Sequence, residues 1–279
     1  MTTERFSAFW QDKAVLVTGG SSGLGLAIAQ AFADAGSRTA IVGLEPEGVE
    51  AAVQTLRRRA QSQDAILGTA ADITSDHDVA RVADAVRSTF GELDVLVNNA
   101  GRSMRGGLLD TTPEQFRRLM ELNFIALVRV TRTFLPELIR RRGHIVNIGS
   151  LASKAAARFV GAYPATKHAV AAYSQQLRLE FGTQGLHVLL VCPGPVARAG
   201  ERLYGLEGAD HVPDSAKKPG AGVRVRAVSP DALAQRILNA CRRRRPEIVI
   251  PGKARLLFAL CQLWPSLGDR LIRWNTRGG

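Results

Sequence analysis

A tyrosine and a lysine stand four positions apart in the segment GAYPATKHAVAAY, residues 161–173. On a helix these two positions share one face, so Tyr163 and Lys167 would lie side by side. Pro164 fits this arrangement only where the helix begins, because proline lacks the amide hydrogen that a helix interior requires. An ammonium group beside a phenol favours the ionised phenolate. The pair indicates an acid–base site, although a surface lysine packed on a half-buried tyrosine would give the same spacing.

A glycine-rich turn lies near the start of the chain, between an apolar run and a segment with helical periodicity. Its sequence is TGGSSGLG, which begins at Thr18. Glycines in such a turn bring backbone N–H groups and a helix N-terminus close to a phosphate. Because the turn follows the first predicted strand, it predicts a dinucleotide site. The residues expected to contact the dinucleotide are Gly19, Ser21, Ser22, Gly23, Leu24 and Gly25.

Short apolar runs alternate with amphipathic helical segments along most of the chain. The runs lack alternation of polar and apolar residues, which is typical of parallel strands that are buried on both faces. This rhythm predicts a doubly wound parallel α/β sheet in one domain, residues 12–251. The predicted strands are residues 13–18, 39–43, 65–70, 94–98, 144–148, 187–192 and 247–250.

One long stretch, residues 195–228, contains no predicted helix or strand and is rich in glycine and charge. A loop of this length inside a compact domain is usually functional or disordered. We therefore expect it to serve as a lid over the substrate.

Composition excludes several classes of protein. The 279 residues are 46% apolar and 22% charged, which is ordinary for one globular domain. Three cysteines far apart, without CxxC spacing, favour a reducing compartment over a disulfide framework or a zinc site, and no metal is expected. The sequence shows neither an apolar leader near its start nor a run of about 18 apolar residues. We expect a cytoplasmic protein that could associate with a membrane surface.

The formal net charge of +12 is concentrated towards the end of the chain, where residues 242–279 contain nine basic and two acidic residues. Residues 252–279 also form two short amphipathic pieces with leucine and tryptophan, separated at Pro265. Two interpretations remain open for this tail. Its helices could lie in the plane of a membrane with basic residues towards lipid phosphates, or they could pack on the domain or a second subunit and cover the substrate cleft. Nucleic acid is not expected, because no base-reading module is recognisable.

Several motifs resemble those of the short-chain dehydrogenase/reductase family and occur in the family's order over residues 12–250. They are the glycine turn, NNAG at residues 98–101, Ser150 thirteen residues before Tyr163, and the Tyr163-x-x-x-Lys167 pair. Asp72 after the third strand and Pro193-Gly194 after the sixth also match. The resemblance implies a Rossmann fold and a nicotinamide dinucleotide cofactor. It also implies a small carbonyl or alcohol substrate and a homodimer or homotetramer, and the apolar tail and long lid favour an apolar substrate.

The resemblance also implies a role for each site residue. Tyr163 would act as general acid/base, and Lys167 would lower the pKa of its phenol and hold the nicotinamide ribose. Ser150 would hydrogen-bond the substrate oxygen. Asn123 lies in an apolar helical stripe 27 residues before this serine; it would anchor a water in a proton relay, or it could be an ordinary core asparagine with satisfied partners. The further cofactor contacts implied are Asp72, Ile73, Asn99, Ala100, Gly101, Pro193, Gly194 and Val196.

The residues after the second strand leave the type of cofactor undecided. A carboxylate there binds the ribose 2′-OH of NAD, and a basic residue accepts the 2′-phosphate of NADP. This chain has Gly43, Leu44 and Glu45 at that place, and the lack of a close carboxylate favours NADP over NAD. Arg38 and the basic surface could add attraction for the phosphate. Arg198 stands where the family often has a threonine that contacts the nicotinamide amide.

Two functions compete on this sequence. The first is an oxidoreductase that transfers a hydride between a nicotinamide dinucleotide and a carbonyl or secondary alcohol. The second is a non-catalytic dinucleotide-binding sensor or partner subunit on the same fold. The complete set of Asn123, Ser150, Tyr163 and Lys167 favours the enzyme, because a protein without chemistry has no need of an acidified tyrosine.

Overall fold

The centre of the fold is a parallel β-sheet, seen in a computed structural model that describes residues 8–197, 212–213 and 225–275. Within those ranges the sheet has 7 strands in the order β3-β2-β1-β4-β5-β6-β7. β1 pairs with β2 on one side and with β4 on the other, so the winding reverses there and the predicted doubly wound fold is confirmed. The strands are β1 (Ala14–Thr18), β2 (Arg38–Gly43), β3 (Ile66–Ala70), β4 (Val95–Asn98), β5 (His144–Ile148), β6 (His187–Pro193) and β7 (Glu247–Ile250).

Helices cover both faces of this sheet. The helices are α1 (Gly23–Asp34), α2 (Pro46–Arg57), α3 (Asp76–Phe90), α4 (Pro113–Met120), α5 (Ala126–Arg140), α6 (Tyr163–Phe181), α7 (Pro230–Arg242), α8 (Ala254–Leu263) and α9 (Pro265–Asn275). On one face, α1, α2 and α7 form an apolar cluster with Val15 and Val17 of β1. On the other face, α3, α5 and α6 cluster with Leu16. Successive β1 residues thus serve opposite layers, as the alternation of a strand requires.

The outermost strands depart from the prediction of burial on both faces. In β3 only the first residue is buried and the other four are half-buried, and β7 begins with two half-buried residues. An outer strand has a neighbour on one side only, so helices and strands cover less of it. Every predicted strand is nevertheless present, with ends that differ by at most one residue.

The chain after β7 forms the predicted helical extension. Ala254 and Phe258 of α8 pack on an apolar cluster that includes Cys192 and Val249. α9 folds back on α8, and its Gly268 is so close that a Cβ there would lie 2.7 Å from Cα of Cys261. None of the helices in the described ranges is long and apolar enough to cross a membrane.

Most of the predicted lid lies outside the described residues, and so does Arg198. At the two ends of residues 195–228, Val196 and Val228 form a parallel bridge. The backbone N–H of Ala197 donates to the carbonyl of Val228 at 2.8 Å. The stretch therefore leaves and rejoins the domain at one place.

Candidate active site

The tyrosine and lysine lie at the start of α6, as the sequence predicts. The helix begins at Tyr163 with Pro164 in its first turn, where the missing amide hydrogen costs no helix hydrogen bond. Nζ of Lys167 lies 5.9 Å from the centroid of the Tyr163 ring. It also donates a hydrogen bond of 2.8 Å to the carbonyl of Ile148, the last residue of β5. The lysine thereby ties the start of α6 to the carboxyl edge of the sheet.

Burial makes the Lys167 ammonium easier to deprotonate. The residue is 6% exposed, and loss of solvation lowers its pKa from 10.5 to about 8, with a small opposing effect from Cys192. The group is still mainly charged at neutral pH, and it is held beside a phenol. This is the electrostatic arrangement that favours a phenolate.

Ser150 lies two residues after the end of β5, on the same edge of the sheet. Its Oγ accepts a hydrogen bond from the backbone N–H of Ala152 at 3.1 Å, and Oγ of Ser153 accepts from the N–H of Ser150 at 3.1 Å. These two bonds form a capping box that holds the short 3₁₀ turn Leu151–Ser153. An accepted bond uses a lone pair of the hydroxyl, so its hydrogen can still be donated to a substrate oxygen.

Asn123 occupies a π-helical turn, Glu121–Ile125, between α4 and α5. It is 1% exposed, and its amide is fully engaged: Oδ1 accepts from the N–H of Arg102, and Nδ2 donates to the carbonyl of Arg102, each at 2.8 Å. Nδ2 also donates to Oγ1 of Thr166 at 3.1 Å. The side chain thus meets the expectation of a satisfied core asparagine, and its two donors are not available to a water.

Thr166 is a site residue that the sequence reasoning missed. It is fully buried, accepts from Asn123 and donates to the carbonyl of Tyr163 at 2.8 Å. Its position beside Lys167 on α6 did not by itself predict a role, because a single threonine in a helix can make many kinds of contact. The buried amide of Asn123 was the available clue, since such a group needs partners.

The glycine turn has the shape that a phosphate group requires. Gly19 has φ +62°, a left-handed conformation that favours glycine. A Cβ on Gly25 would lie 2.5 Å from Nδ2 of Asn99, so the turn has no room for a side chain there. Ser22 precedes α1 without capping it by its side chain, and the first turn of the helix has no acidic residue. The N–H groups and the dipole of α1 can therefore serve an anion such as a pyrophosphate.

A polar clamp joins this turn to the end of β4. Nδ2 of Asn99 donates to the carbonyls of Thr18 and Gly19, each at 3.1 Å. Oγ1 of Thr18 in turn accepts from the N–H groups of Asn99 at 3.1 Å and of Ala100 at 3.2 Å. Asn99 thus holds the backbone of the glycine turn in place through the carbonyls of Thr18 and Gly19. Thr18, the last residue of β1, is the second site residue that the sequence reasoning did not single out.

Residues 13–202 match the model of a protein family described as short chain dehydrogenase. The chain belongs to the short-chain dehydrogenase/reductase family. It is 32% identical to Dehydrogenase/reductase SDR family member 7B of Bos taurus over 98% of this chain and 84% of that protein. Family membership places the protein among the oxidoreductases.

Solved structures agree in fold with this short-chain dehydrogenase/reductase. A short-chain dehydrogenase from Streptomyces avermitilis is 29% identical with a TM-score of 0.77, covering 94% of this chain and 96% of that one. A short chain dehydrogenase/reductase from Burkholderia phymatum, solved in complex with NAD, is 23% identical with a TM-score of 0.79, covering 92% of this chain and 95% of that one. The Rossmann-type fold is thereby established.

The remaining predicted contacts of this dehydrogenase/reductase lie after β3 and β6. The carboxylate of Asp72 accepts from the N–H and the hydroxyl of Thr74, so it also fixes the turn after β3. The next residue, Ile73, is buried against the α3 layer. After β6, the N–H of Gly194 donates to the carbonyl of Ile250 at 2.7 Å. Both segments leave the carboxyl ends of parallel strands, and the structure brings them to the same edge as Tyr163 and the glycine turn.

Arg38 cannot assist a 2′-phosphate. It is the first residue of β2 and lies at the amino edge of the sheet, where its guanidinium donates to the carbonyls of Asp12 and Phe90. The expectation of help from this arginine was wrong, because the ribose site would follow the other end of the strand. At that end Leu44 and Glu45 are exposed, and the Glu45 side chain makes no capping bond to α2.

Proposed function

We propose that this short-chain dehydrogenase/reductase transfers a hydride between a nicotinamide dinucleotide and a carbonyl or secondary alcohol, with Tyr163 as general acid/base. The observation that carries the proposal is the buried ammonium of Lys167 beside the Tyr163 ring, on the same sheet edge as the glycine turn. A sensor or partner subunit is not favoured, because a protein that only binds the dinucleotide has no need of a tyrosine whose pKa is lowered.

The residues present fit the cofactor. The glycine turn and the first N–H groups of α1 would hold the pyrophosphate, and Lys167 would reach the nicotinamide ribose. A bound nicotinamide dinucleotide supplies or accepts the hydride. The rest of the dinucleotide would lie along the carboxyl edge of the sheet. It would contact three short segments there: Asp72 and Ile73, Ala100 and Gly101, and Pro193 to Val196.

The chain itself handles the proton. In the direction of reduction, the hydroxyl of Ser150 donates to the carbonyl oxygen of the substrate and orients it, and the Tyr163 phenol gives its proton to that oxygen. The positive charge of Lys167 stabilises the phenolate that remains. In oxidation the phenolate removes the proton from the alcohol.

Asn123 acts here as a positioning residue. It joins the Arg102 backbone to Thr166, which holds the carbonyl of Tyr163, so the loop after β4 and the start of α6 stay in register. Relay of the proton to solvent through a water near Asn123, held by groups other than its engaged side-chain amide, belongs to the same proposal. The π-helical turn around Asn123 supports it, because such turns are frequent at functional sites.

The substrate is proposed to be apolar and the cofactor NADP. The apolar extension beside the carboxyl edge supports the first point. The second rests on the lack of a carboxylate directly after β2, where Gly43 and Leu44 present no charge that would repel a 2′-phosphate. Michaelis constants for the two reduced cofactors test this preference, and a tenfold or greater preference for NADH would overturn it.

The decisive experiment replaces the phenol. We expect Tyr163→Phe to lower turnover about 10²- to 10⁴-fold, because a proton donor of this kind contributes that much. Affinity for the cofactor, followed by quenching of protein fluorescence, should be nearly unchanged because the ring is kept.

A matched control exists on the same helix. Tyr173 is half-buried against Phe124, with ring centroids 5.9 Å apart, and Tyr173→Phe removes the same single oxygen away from the site. Turnover by this control should stay within a few-fold of the native protein. Comparable activity of Tyr163→Phe and the native protein would refute the assignment of the acid/base.

A further inference from the structure

The helical extension presents a face of large apolar side chains to solvent. Its inner side is occupied, since Phe258 packs on the domain and Gly268 packs on Cys261. Five other large apolar side chains of the two helices and their junction are between 42% and 78% exposed. They are Leu256, Leu263, Trp264, Leu267 and Trp274.

The exposed residues recur at helical spacing. Leu256 and Leu263 are seven positions apart on α8, and Leu267 and Trp274 are seven apart on α9. Residues at this spacing lie on one side of a helix. Trp264 stands at the junction between the two helices. Each helix therefore has one apolar side towards its neighbours and a second apolar side without cover from the described part of the chain.

Basic residues accompany this second apolar side. From residue 253 to 275 the chain has four basic residues and one acidic residue, Asp269. Lys253 and Arg270 are exposed, as are Arg255 and Arg273. A combination of leucine, tryptophan and basic residues is typical of helices that lie in a lipid interface, where tryptophan favours the headgroup level.

Charge also distinguishes between the possible partners of this exposed apolar side, a second copy of the chain and a membrane. If two copies of this chain met through the extension, each would bring three more positive than negative charges to the same contact. A membrane leaflet with anionic lipids is complementary to that charge. The basic run of residues 242–245 does not belong to this surface, because it precedes β7 and the carbonyl of Arg245 accepts from His187 at the amino edge of the sheet.

We propose that the outer side of α8 and α9 binds the surface of membranes that contain anionic lipid. The two helices lie in the interface with Trp264 and Trp274 among the headgroups. The extension follows β7, so this contact brings the carboxyl edge of the sheet and its cleft next to the lipid. An apolar substrate could then reach the site from the membrane, while the docking itself does not depend on the activity.

Sedimentation with vesicles tests the proposal on the full-length protein. We expect binding to vesicles of phosphatidylcholine with about 30% phosphatidylserine, and about tenfold weaker binding to phosphatidylcholine alone. Binding should fall steeply at about 0.5 M NaCl, where charges are screened beyond roughly 4 Å. Absence of binding, or equal binding to both kinds of vesicle, would overturn the proposal.

Tryptophan fluorescence locates the contact. The chain has three tryptophans, and Trp10 is fully buried, so a blue shift on adding anionic vesicles reports on Trp264 and Trp274. Trp264→Ala combined with Trp274→Ala should lower vesicle affinity about tenfold, and Lys253→Gln with Arg270→Gln should remove the preference for phosphatidylserine.

Two controls separate this surface from other causes. Leu179 is a comparably exposed leucine on α6, and Leu179→Ser should leave vesicle binding unchanged. Analytical ultracentrifugation without lipid shows whether the double tryptophan variant changes the oligomeric state. A dimer that this variant converts to a monomer, without vesicle binding by the native protein, would assign the surface to a second copy and refute the proposal.

Discussion

The two edges of the sheet both bury basic side chains, with different results. At the amino edge, His144 and His187 begin β5 and β6 and are 4% and 5% exposed. At the carboxyl edge, Lys167 is 6% exposed. Burial lowers the pKa of all three: His144 from 6.5 to about 3, His187 from 6.5 to about 4, and Lys167 from 10.5 to about 8. The imidazoles are therefore neutral at pH 7, and the ammonium is still mainly charged.

The histidines are satisfied as a neutral pair. Their Nδ1 atoms are 2.9 Å apart, and Nε2 of His187 lies 2.8 Å from the carbonyl of Arg245. A carbonyl only accepts, so Nε2 of His187 carries the hydrogen and its Nδ1 accepts from Nδ1 of His144. Cys241 brings a third donor atom within 4.8 Å, but Arg244 and Lys13 create a positive field that disfavours a cation.

The contrast between the two edges indicates that packing alone does not require the buried charge of Lys167. At the amino edge, hydrogen bonds between neutral groups complete the packing and no charge has to be stabilised. At the carboxyl edge, Lys167 stays charged although its Nζ donates to the neutral backbone carbonyl of Ile148. A charge kept at such a cost to stability is typical of a functional site.

The largest expected effect separates function from stability at Lys167. Lys167→Met should lower turnover at least about a hundredfold, because the phenolate loses its stabilising charge. The variant should weaken cofactor binding as well. The free energy of unfolding of the cofactor-free protein should instead rise by about 1–2 kcal/mol at pH 7: the lowered pKa amounts to about 3 kcal/mol, less about 1 kcal/mol for the unpaired carbonyl of Ile148.

The sign of this stability change can be checked by pH and by a control. The folded-state pKa of Lys167 is depressed, so its contribution to stability is present above pH 10.5 and is lost as the pH falls through about 8. The gain by the variant should shrink when urea unfolding is repeated at a pH above 8. Lys13, which is 30% exposed at the amino edge, offers the control Lys13→Met, for which no gain is expected. Lower stability of Lys167→Met would contradict a cost of burying this charge.

The second effect concerns the histidine pair and acid. The unfolded chain protonates these imidazoles near pH 6.5, whereas the folded protein binds the protons only near pH 3 to 4. Their depressed pKa values give stability that is complete above about pH 6.5 and is lost as the pH falls towards 4. Between pH 8 and 5 we expect a loss of about 2 kcal/mol for each histidine.

Variants assign this loss to the pair. His187→Gln removes one titrating group, so the acid-induced loss of unfolding free energy should fall by about half. His77, whose side chain is 87% exposed, provides the control His77→Gln with an unchanged pH profile. If His187→Gln loses as much stability as the native protein between pH 8 and 5, the neutral pair is not the cause.

The smallest effect on turnover is expected from the hydrogen bonds that hold the carboxyl edge. Thr166→Val leaves Asn123 and the carbonyl of Tyr163 each short of one partner, which should cost about 1–3 kcal/mol of unfolding free energy. Thr166→Ser keeps the hydroxyl and should restore most of this stability. A positioning role further predicts that kcat falls several-fold in the valine variant, with KM little changed and the serine variant near the native value. Equal kcat in all three proteins would limit Thr166 to a structural role.

The sequence by itself determined the features that depend on neighbouring residues. The seven strands, the start of α6 at Tyr163 and the glycine turn all appear where they were predicted. Apolar runs, proline placement and short spacings act within a few residues of one another, so their patterns can be recognised along the chain. The resemblance to a family added that motifs far apart in the chain belong to one site.

The tertiary structure alone decided which distant groups meet. It placed Arg38 at the edge away from the site, and it joined Asn123 to Thr166 across 43 residues. It also brought His144 and His187 together at the start of neighbouring strands, where the loss of water rather than any local pattern sets their charge. Partners and burial depend on how β-strands and helices pack, and no short stretch of sequence contains that information.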